Sequence, residues 1–464
     1  MYVQQLYTSC LAEAAYYIES NGEAAIIDPL RETEPYIQLA KDRGATIKYV
    51  FETHFHADFV SGHIDLAKKT GAKIVYGPSA KAEYDITVAN DGQFFPLGDI
   101  KIEVLHTPGH TLESSCFLMY DDHNVPYACF TGDTLFVGEV GRPDLAVKSD
   151  LSREDLAGLL YESIQNKIKT LPDDVIVYPG HGAGSACGKN IGTETWSTIG
   201  MQKKLNYAMQ PMSKQEFIHV VTDGLTEPPK YFFVDAAINK KGYEPIDDVL
   251  KRNVHKLSLE EFETVVSTGV TILDAREADV FEKGFIPDSI NIGLNGQYAV
   301  WVGSLIDSKD PLVLVTDEGK EDESIIRLSR VGYDHTIGYL KGGFKSWVNA
   351  GKEKDTVKRI TAKEMEANYK DVLTIDIRKK SEYDSEHVIG AVNIPLNQIN
   401  SHLSEFPKDK PFVLHCAGGY RSMIAASMLK QRGWENFVDV IGGFKEIATT
   451  SIPRTAYVCP TTLL

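Results

Sequence analysis

Thr53-His54-Phe55-His56-Ala57-Asp58-Phe59 is the stretch on which the reading of this chain turns. Packing gives no reason for two imidazoles and a carboxylate at alternating positions, whereas a metal ion does. Three further groups stand in short turn-like contexts: His110 in Thr107-Pro108-Gly109-His110, Asp133 in Thr131-Gly132-Asp133, and His181 in Tyr178-Pro179-Gly180-His181-Gly182. Their wide separation is expected if loops from several strands converge on one mouth. His54, His56, Asp58, His110, Asp133 and His181 are therefore read together as a metal-binding set, while His63, His106 and His123 are read as ordinary histidines.

Around these groups, residues 1 to about 190 alternate short apolar runs with turn signals, among them Ala24-Ala25-Ile26-Ile27, Ile100-Lys101-Ile102-Glu103-Val104-Leu105 and Val175-Ile176-Val177-Tyr178. The polar clusters follow such runs, as functional loops on a β scaffold do. From about 191 to 256 the pattern turns helical, interrupted at Glu227-Pro228-Pro229. The remainder contains a repeat of roughly one hundred residues. Leu273-Asp274-Ala275-Arg276 returns as Ile375-Asp376-Ile377-Arg378, Ser289-Ile290-Asn291-Ile292 as Ala391-Val392-Asn393-Ile394, and Gly342-Gly343-Phe344 as Gly442-Gly443-Phe444. Within each copy, apolar runs alternate with helical patterns, which predicts a parallel sheet flanked by helices.

A chain of 464 residues is too long for one core, and at about 150 residues per domain it predicts roughly three. Hydrophobic residues at 43% and charged residues at 24% are ordinary for globular domains. A formal net charge of -17 gives no purchase on phosphate backbones or anionic lipid, so neither nucleic acid nor membrane is an expected partner. The first residues carry no basic segment followed by an apolar one, and a cytoplasmic location is expected. The six cysteines are scattered, without disulfide-scaffold or paired CxxC spacing, and read as reduced thiols.

The ordered set His-x-His-x-Asp, Thr-Pro-Gly-His, Thr-Gly-Asp and Pro-Gly-His, spanning residues 1 to about 250, resembles the metallo-β-lactamase superfamily. That resemblance implies an αββα sandwich. Glyoxalase II-type hydrolases of this superfamily bind two metals, and the residue after the motif aspartate is a ligand of the second; here it is Phe59. The chain is more similar to the persulfide dioxygenases, which hold one Fe(II) with two histidines and an aspartate. Carried over by motif, the resemblance implies His54, His110 and Asp133 as ligands, leaving adjacent positions for O2 and a substrate sulfur. His56, Asp58 and His181 would then orient ligands or bound water through hydrogen bonds. A zinc site of His54, His56 and His110 is the alternative. Arg142, in Gly141-Arg142-Pro143-Asp144, resembles a bracing segment of these dioxygenases, or is a surface turn with a salt bridge. Cys187 is either a thiol that presents sulfur near the metal or a small buried residue.

In the second copy, His415-Cys416-Ala417-Gly418-Gly419-Tyr420-Arg421-Ser422 follows a β-like run and opens a helical pattern. Backbone N–H groups, a helix N-terminus and Arg421 favour an anionic sulfur adduct on Cys416, and the glycines let the loop close around it. With Asp376-x-Arg378, Asn393-Ile394-Pro395 and Gly442-Gly443, this loop resembles a rhodanese, implying sulfur carried as a cysteine persulfide. Phosphatase loops place one more residue between Cys and Arg than the four seen here. The first copy reads Val315-Thr316-Asp317-Glu318-Gly319-Lys320-Glu321-Asp322-Glu323 instead, without cysteine, and cannot form a persulfide; a scaffolding or interface role is expected.

The expected architecture is multidomain α/β: a metallo-β-lactamase-like dioxygenase domain over 1–256, an inactive rhodanese-like domain over 257–356 and an active rhodanese over 357–464. The resemblance implies oxidation of a persulfide, such as glutathione persulfide, by O2 to sulfite. Sulfur transfer through Cys416, with Arg421 and the loop residues Ala417, Gly418, Gly419, Tyr420 and Ser422, then gives thiosulfate. One Fe(II) per first domain is the implied cofactor, zinc the alternative, and a homo-oligomer is expected. The competing activity is a zinc-dependent thioester hydrolase of glyoxalase II type fused to a sulfurtransferase.

Overall fold

The computed structural model describes residues 1–147 and 151–459. Strands β1 (Tyr2–Thr8), β2 (Glu13–Ser20), β3 (Glu23–Ile27), β4 (Thr46–Glu52), β5 (Lys73–Tyr76) and β6 (Thr87–Val88) form one sheet in chain order. A second sheet runs, also in chain order, through β7 (Phe94–Leu97), β8 (Ile100–His106), β9 (Ser115–Tyr120), β10 (Pro126–Gly132), β11 (Ile176–Pro179) and β12 (Ser197–Thr198). Side chains of successive strand residues point to opposite faces, and the sequence is apolar on both. In β2, Ala14, Tyr16 and Ile18 enter one cluster with Ala25, Ile27 and Phe51, facing Ile102, Val104, Phe117, Met119 and Phe130 of the other sheet. Ala15 and Tyr17 turn the other way, against Tyr36 and Ala40 of helix Glu34–Arg43 and Leu66 of helix His63–Thr70. The second sheet repeats the arrangement: Cys116, Leu118 and Cys129 pack against Leu160 of helix Arg153–Ser163 and Phe217 of helix Lys214–Thr222. Two sheets face to face with helices outside each is the expected αββα sandwich. The five loops that matter below leave β3, β4, β8, β10 and β11 at their C-terminal ends.

The chain folds as two units, Met1–Val249 with Ser329–Gly332, and Leu250–Leu328 with Tyr333–Leu464. The second unit holds the repeat. In its first copy, β13 (Lys256–Leu257), β14 (Thr271–Asp274), β15 (Ile290–Asn291), β16 (Leu312–Val315) and β17 (Thr336–Leu340) lie in the order 13-17-16-14-15. In its second copy, β18 (Arg359–Ile360), β19 (Leu373–Asp376), β20 (Val392–Asn393), β21 (Phe412–His415) and β22 (Phe437–Val440) lie in the equivalent order 18-22-21-19-20. All pairings in both sheets are parallel.

The repeated motifs have one structural cause. Asp274 takes a forked ion pair from Arg276, whose Nη2 also donates to Gly284 O at 3.0 Å, and Asn291 Nδ2 donates to Asp274 O and Arg276 O. Asp376, Arg378, Glu386 O and Asn393 make the same bonds in the second copy. Each arginine also stacks over an aromatic ring, Arg276 on Phe344 and Arg378 on Phe444. Among the described residues no helix is long and apolar enough to cross a membrane.

Candidate metal centre and cysteine loop

His54, immediately after β4, is turned by its predecessor. Thr53 Oγ1 donates to Asp28 Oδ2 at 2.7 Å, so its lone pairs face His54 Nδ1 at 3.0 Å. That leaves Nδ1 as donor and puts the free lone pair on Nε2. His110, after β8, places Nδ1 2.9 Å from Arg142 O, and His181, after β11, places Nδ1 3.2 Å from Ala12 O. A carbonyl can only accept, so these rings too hold their proton on Nδ1 and present a bare Nε2. Asp133 follows β10, where Gly132 adopts φ +47° and a Cβ would meet Thr53 Oγ1 at 2.4 Å; glycine allows the two loops this approach.

The presented atoms converge. His110 Nε2 lies 3.5 Å and His54 Nε2 3.9 Å from Asp133 Oδ2, and His181 Nε2 lies 3.5 Å from Asp133 Oδ1 and 3.3 Å from Asp58 Oδ2. All are buried, and His54 Nε2, His110 Nε2, His181 Nε2 and both oxygens of Asp133 have no hydrogen-bond partner. Buried polar atoms normally find one; this many orphans aimed at one point are what a cation satisfies. His54, His110 and Asp133 bring ligand atoms within 4.8 Å of one another, and His56, Asp58 and His181 form an adjoining group of the same kind. Burial, reinforced by the neighbouring imidazoles, holds His54 well below the usual histidine range and therefore neutral. Burial also opposes charge on His56, yet Asp28, Glu52 and Asp58 outweigh it and raise its pKa to about 10. His56 Nε2 sits 3.0 Å from Asp28 Oδ1, and its ring packs on Phe59 at 4.3 Å. Phe59 is wholly buried.

Arg142 and Cys187 stand differently from the set. The Arg142 guanidinium is spent on Asp144 at 2.6 and 2.8 Å, Ala186 O and Thr226 O; the group facing the centre is its carbonyl, on His110. Cys187 forms a further group with Asp133 and His181. Burial, with Asp58 and Asp133 nearby, pushes its thiol well up, so the sulfur is neutral. Asp28 and Thr53, which set the orientation of His54 and His56, escaped the sequence reading. The one available signal was an acid placed directly after the apolar run Ala24–Ile27.

Cys416 follows β21 and opens helix Tyr420–Gln431. Gly419, at φ +103°, turns its N–H onto Cys416 Sγ at 3.1 Å. Cys416 O and Ala417 O accept from Phe444 N and Lys445 N, Ser422 Oγ donates to Gly419 O, and a Cβ on Gly418 would meet nothing. Arg421 is held at the loop by Glu382 through bonds of 2.6 and 2.8 Å. In the first copy the equivalent position is Thr316: Gly343 presses on Thr316 O as Gly443 presses on Cys416 O.

Fold and orphaned donors define a metal-binding αββα sandwich carrying two rhodanese-like modules, and comparison with known proteins agrees. Residues 9–181 match the metallo-beta-lactamase superfamily, and residues 258–350 and 361–450 the rhodanese-like domain. The chain is 32% identical over 218 residues to the mitochondrial persulfide dioxygenase ETHE1 of Homo sapiens, covering 47% of this chain and 77% of that one. It is 33% identical over 178 residues to the hydroxyacylglutathione hydrolase of Pelagibacter ubique, covering 37% and 68%. Among solved structures, a metallo-beta-lactamase from Staphylococcus aureus is 32% identical with a TM-score of 0.65, covering 73% of this chain and 98% of that one. The chain belongs to the metallo-β-lactamase superfamily, as a domain homologous to the persulfide dioxygenases followed by two rhodanese-like domains.

Proposed function

We propose that the first domain is an Fe(II)-dependent persulfide dioxygenase and that Cys416 transfers sulfur to its product. The observation that carries the first half is the convergence of the buried, unpartnered His54 Nε2, His110 Nε2 and Asp133 Oδ2 on one another. Two imidazole nitrogens and one carboxylate oxygen are a donor set that suits a single iron, which if bound would supply redox chemistry toward O2 and a sulfur ligand. Thr53 and the Arg142 carbonyl hold the two imidazoles in the ligating tautomer. Asp58, whose Oδ2 lies 3.3 Å from His181 Nε2, is pushed by burial above the usual carboxylate range and can hold the proton that passes to the departing thiol. The balanced reaction is RSSH + O2 + H2O giving RSH and sulfurous acid.

In the second step, the Cys416 thiolate attacks the outer sulfur of a persulfide. The S–S bond breaks, the thiol leaves, and sulfite attacks the Cys416 persulfide to give thiosulfate and the free thiolate. The Gly419 N–H at 3.1 Å stabilises the charged sulfur at both stages.

A zinc thioester hydrolase is favoured by the identity to the hydroxyacylglutathione hydrolase and by the second group of His56, Asp58 and His181. Phe59 argues against it, since a benzyl ring fills the position next to Asp58. O2 uptake decides between the two. Anaerobically purified, iron-loaded protein given glutathione persulfide is expected to consume one O2 per sulfite formed. Stoichiometric zinc with no O2 uptake would end the dioxygenase reading.

A further inference from the structure

The cysteine-free copy reaches the cysteine loop of its neighbour at two points. The first is a turn. Tyr420, the fifth residue of the loop, extends its ring to the other copy and donates from its hydroxyl to Gly293 O at 2.7 Å. The ring lies on Gly296 so closely that a Cβ there would meet Tyr420 Cζ at 2.4 Å and both Cε atoms within 2.8 Å. The turn is itself fixed: Arg327 donates to Leu294 O at 2.6 Å and to Gly296 O at 2.9 Å. Arg327 belongs to helix Glu321–Ser329, the one that follows the degenerate Thr316 loop. The second point is an arginine. Arg359 joins Asp279 at 2.6 Å and Glu282 at 3.0 Å in the first copy to Asp439 at 2.9 Å in the second. Its Nη2 backs onto Gly419, where it lies 3.0 Å from the position a Cβ would take.

Gly419 supplies the N–H aimed at Cys416 Sγ, and Tyr420 is its neighbour in the chain. We propose that the cysteine-free copy is the positioning half of the sulfur-transfer site: its Gly293–Gly296 turn seats Tyr420, and its Asp279 and Glu282 hold Arg359 behind Gly419. The inference rests on the reading of Cys416 as the sulfur carrier. Gly296, Arg327 and Arg359 are then positioning residues that act through the loop.

The test uses the full chain and a reaction confined to this site. Cys416 attacks the sulfane sulfur of thiosulfate, sulfite leaves with the bonding electron pair, and cyanide accepts the sulfur as thiocyanate. Three variants are compared with wild type for kcat, KM, thermal midpoint and the pH profile of Cys416 alkylation, followed by mass spectrometry of the Cys416 peptide. Gly296→Ala is expected to lower kcat about tenfold, with little change in KM, and to move the alkylation profile to higher pH. Tyr420→Phe keeps the ring but loses its hydrogen bond, and about a threefold fall is expected; it decides the matter if Gly296→Ala fails to fold. Cys416→Ser is expected to be inactive. If Cys416→Ser retains turnover, the carrier reading itself fails. If it is inactive while Gly296→Ala, where folded, and Tyr420→Phe match wild type in both kcat and alkylation profile, the positioning role alone is overturned.

Discussion

Thr53 carries no ligand atom, yet it decides which nitrogen of His54 can be one. Its hydroxyl has a single proton, already given to Asp28 Oδ2, so it can only accept from His54 Nδ1. Thr53→Val keeps the volume and removes the relay. Metal affinity is expected to fall about 10- to 100-fold, as for other groups that orient a ligand from behind, and titration against a chelator of known affinity measures it. Unchanged affinity would show that the carboxylate behind Thr53 is irrelevant to His54. Asp439 makes a second prediction at this scale. Burial raises its pKa to about 7, with the Glu282 charge adding to it, against the lowering by Ser422 and by Arg359 2.9 Å away. A buried acid with a raised pKa contributes stability fully present below the ordinary carboxylate range and lost as pH rises through about 7. Denaturant unfolding followed from pH 5 to pH 8 should therefore show falling stability, by about 3 kcal/mol at most. Asp439→Asn should flatten that slope; an equal slope in the variant refutes the assignment. The candidate ligand residues were legible because metal chemistry demands particular side chains at loop positions. The groups that aim them were not: Asp28 lies 25 residues from Thr53, and the Arg142 and Ala12 carbonyls belong to the backbone, which every residue has.

At the scale of elements, the repeat shows what a fold keeps when chemistry is removed. Both copies retain the Asp-x-Arg fork, the asparagine that caps it and the Gly-Gly turn, because these groups close hydrogen bonds that would otherwise be buried and unmet. β16 and β21 were visible as short strand-like runs, Leu312–Val315 and Phe412–His415. Their neighbours in the sheet were not, since order 18-22-21-19-20 depends on crossovers that no local pattern encodes. Gly443 illustrates the link from element to site. It adopts φ +55 to +57° along with Gly343, and a Cβ there would meet Cys416 O at 2.4 Å. Gly443→Ala is expected to cost at least about 1 kcal/mol in stability and to reduce thiocyanate formation several-fold, by pushing the carbonyl that anchors the loop. Gly343→Ala meets Thr316 O at 2.5 Å and should carry a similar stability cost. Equal turnover in Gly443→Ala and wild type would mean that the loop tolerates the displacement.

At the scale of the whole molecule, the proposed function puts two chemistries on one chain, with the product of one as the substrate of the other. Under that proposal, sulfite made at the His54–His110–Asp133 centre would be the acceptor for the Cys416 persulfide, and tethering the sites would raise the local concentration of each for the other. The coupling predicts an ordered set of losses. In Cys416→Ser, with glutathione persulfide and O2 supplied, thiosulfate should disappear while O2 uptake continues and sulfite accumulates, one per O2. In Asp133→Ala both O2 uptake and sulfite should vanish, because the variant removes the one carboxylate of the proposed ligand set His54, His110 and Asp133. The Asp133 variant should nonetheless make thiosulfate once sulfite is added from outside, since its cysteine loop is intact. Ion chromatography of sulfite and thiosulfate, alongside an oxygen electrode, reads all three quantities from one sample. Thiosulfate formation by Cys416→Ser would place sulfur transfer at another group, with Cys187 beside Asp133 and His181 as the next thiol to substitute. Failure of added sulfite to rescue Asp133→Ala would instead mean that the two steps exchange sulfur only through an intermediate that never leaves the chain.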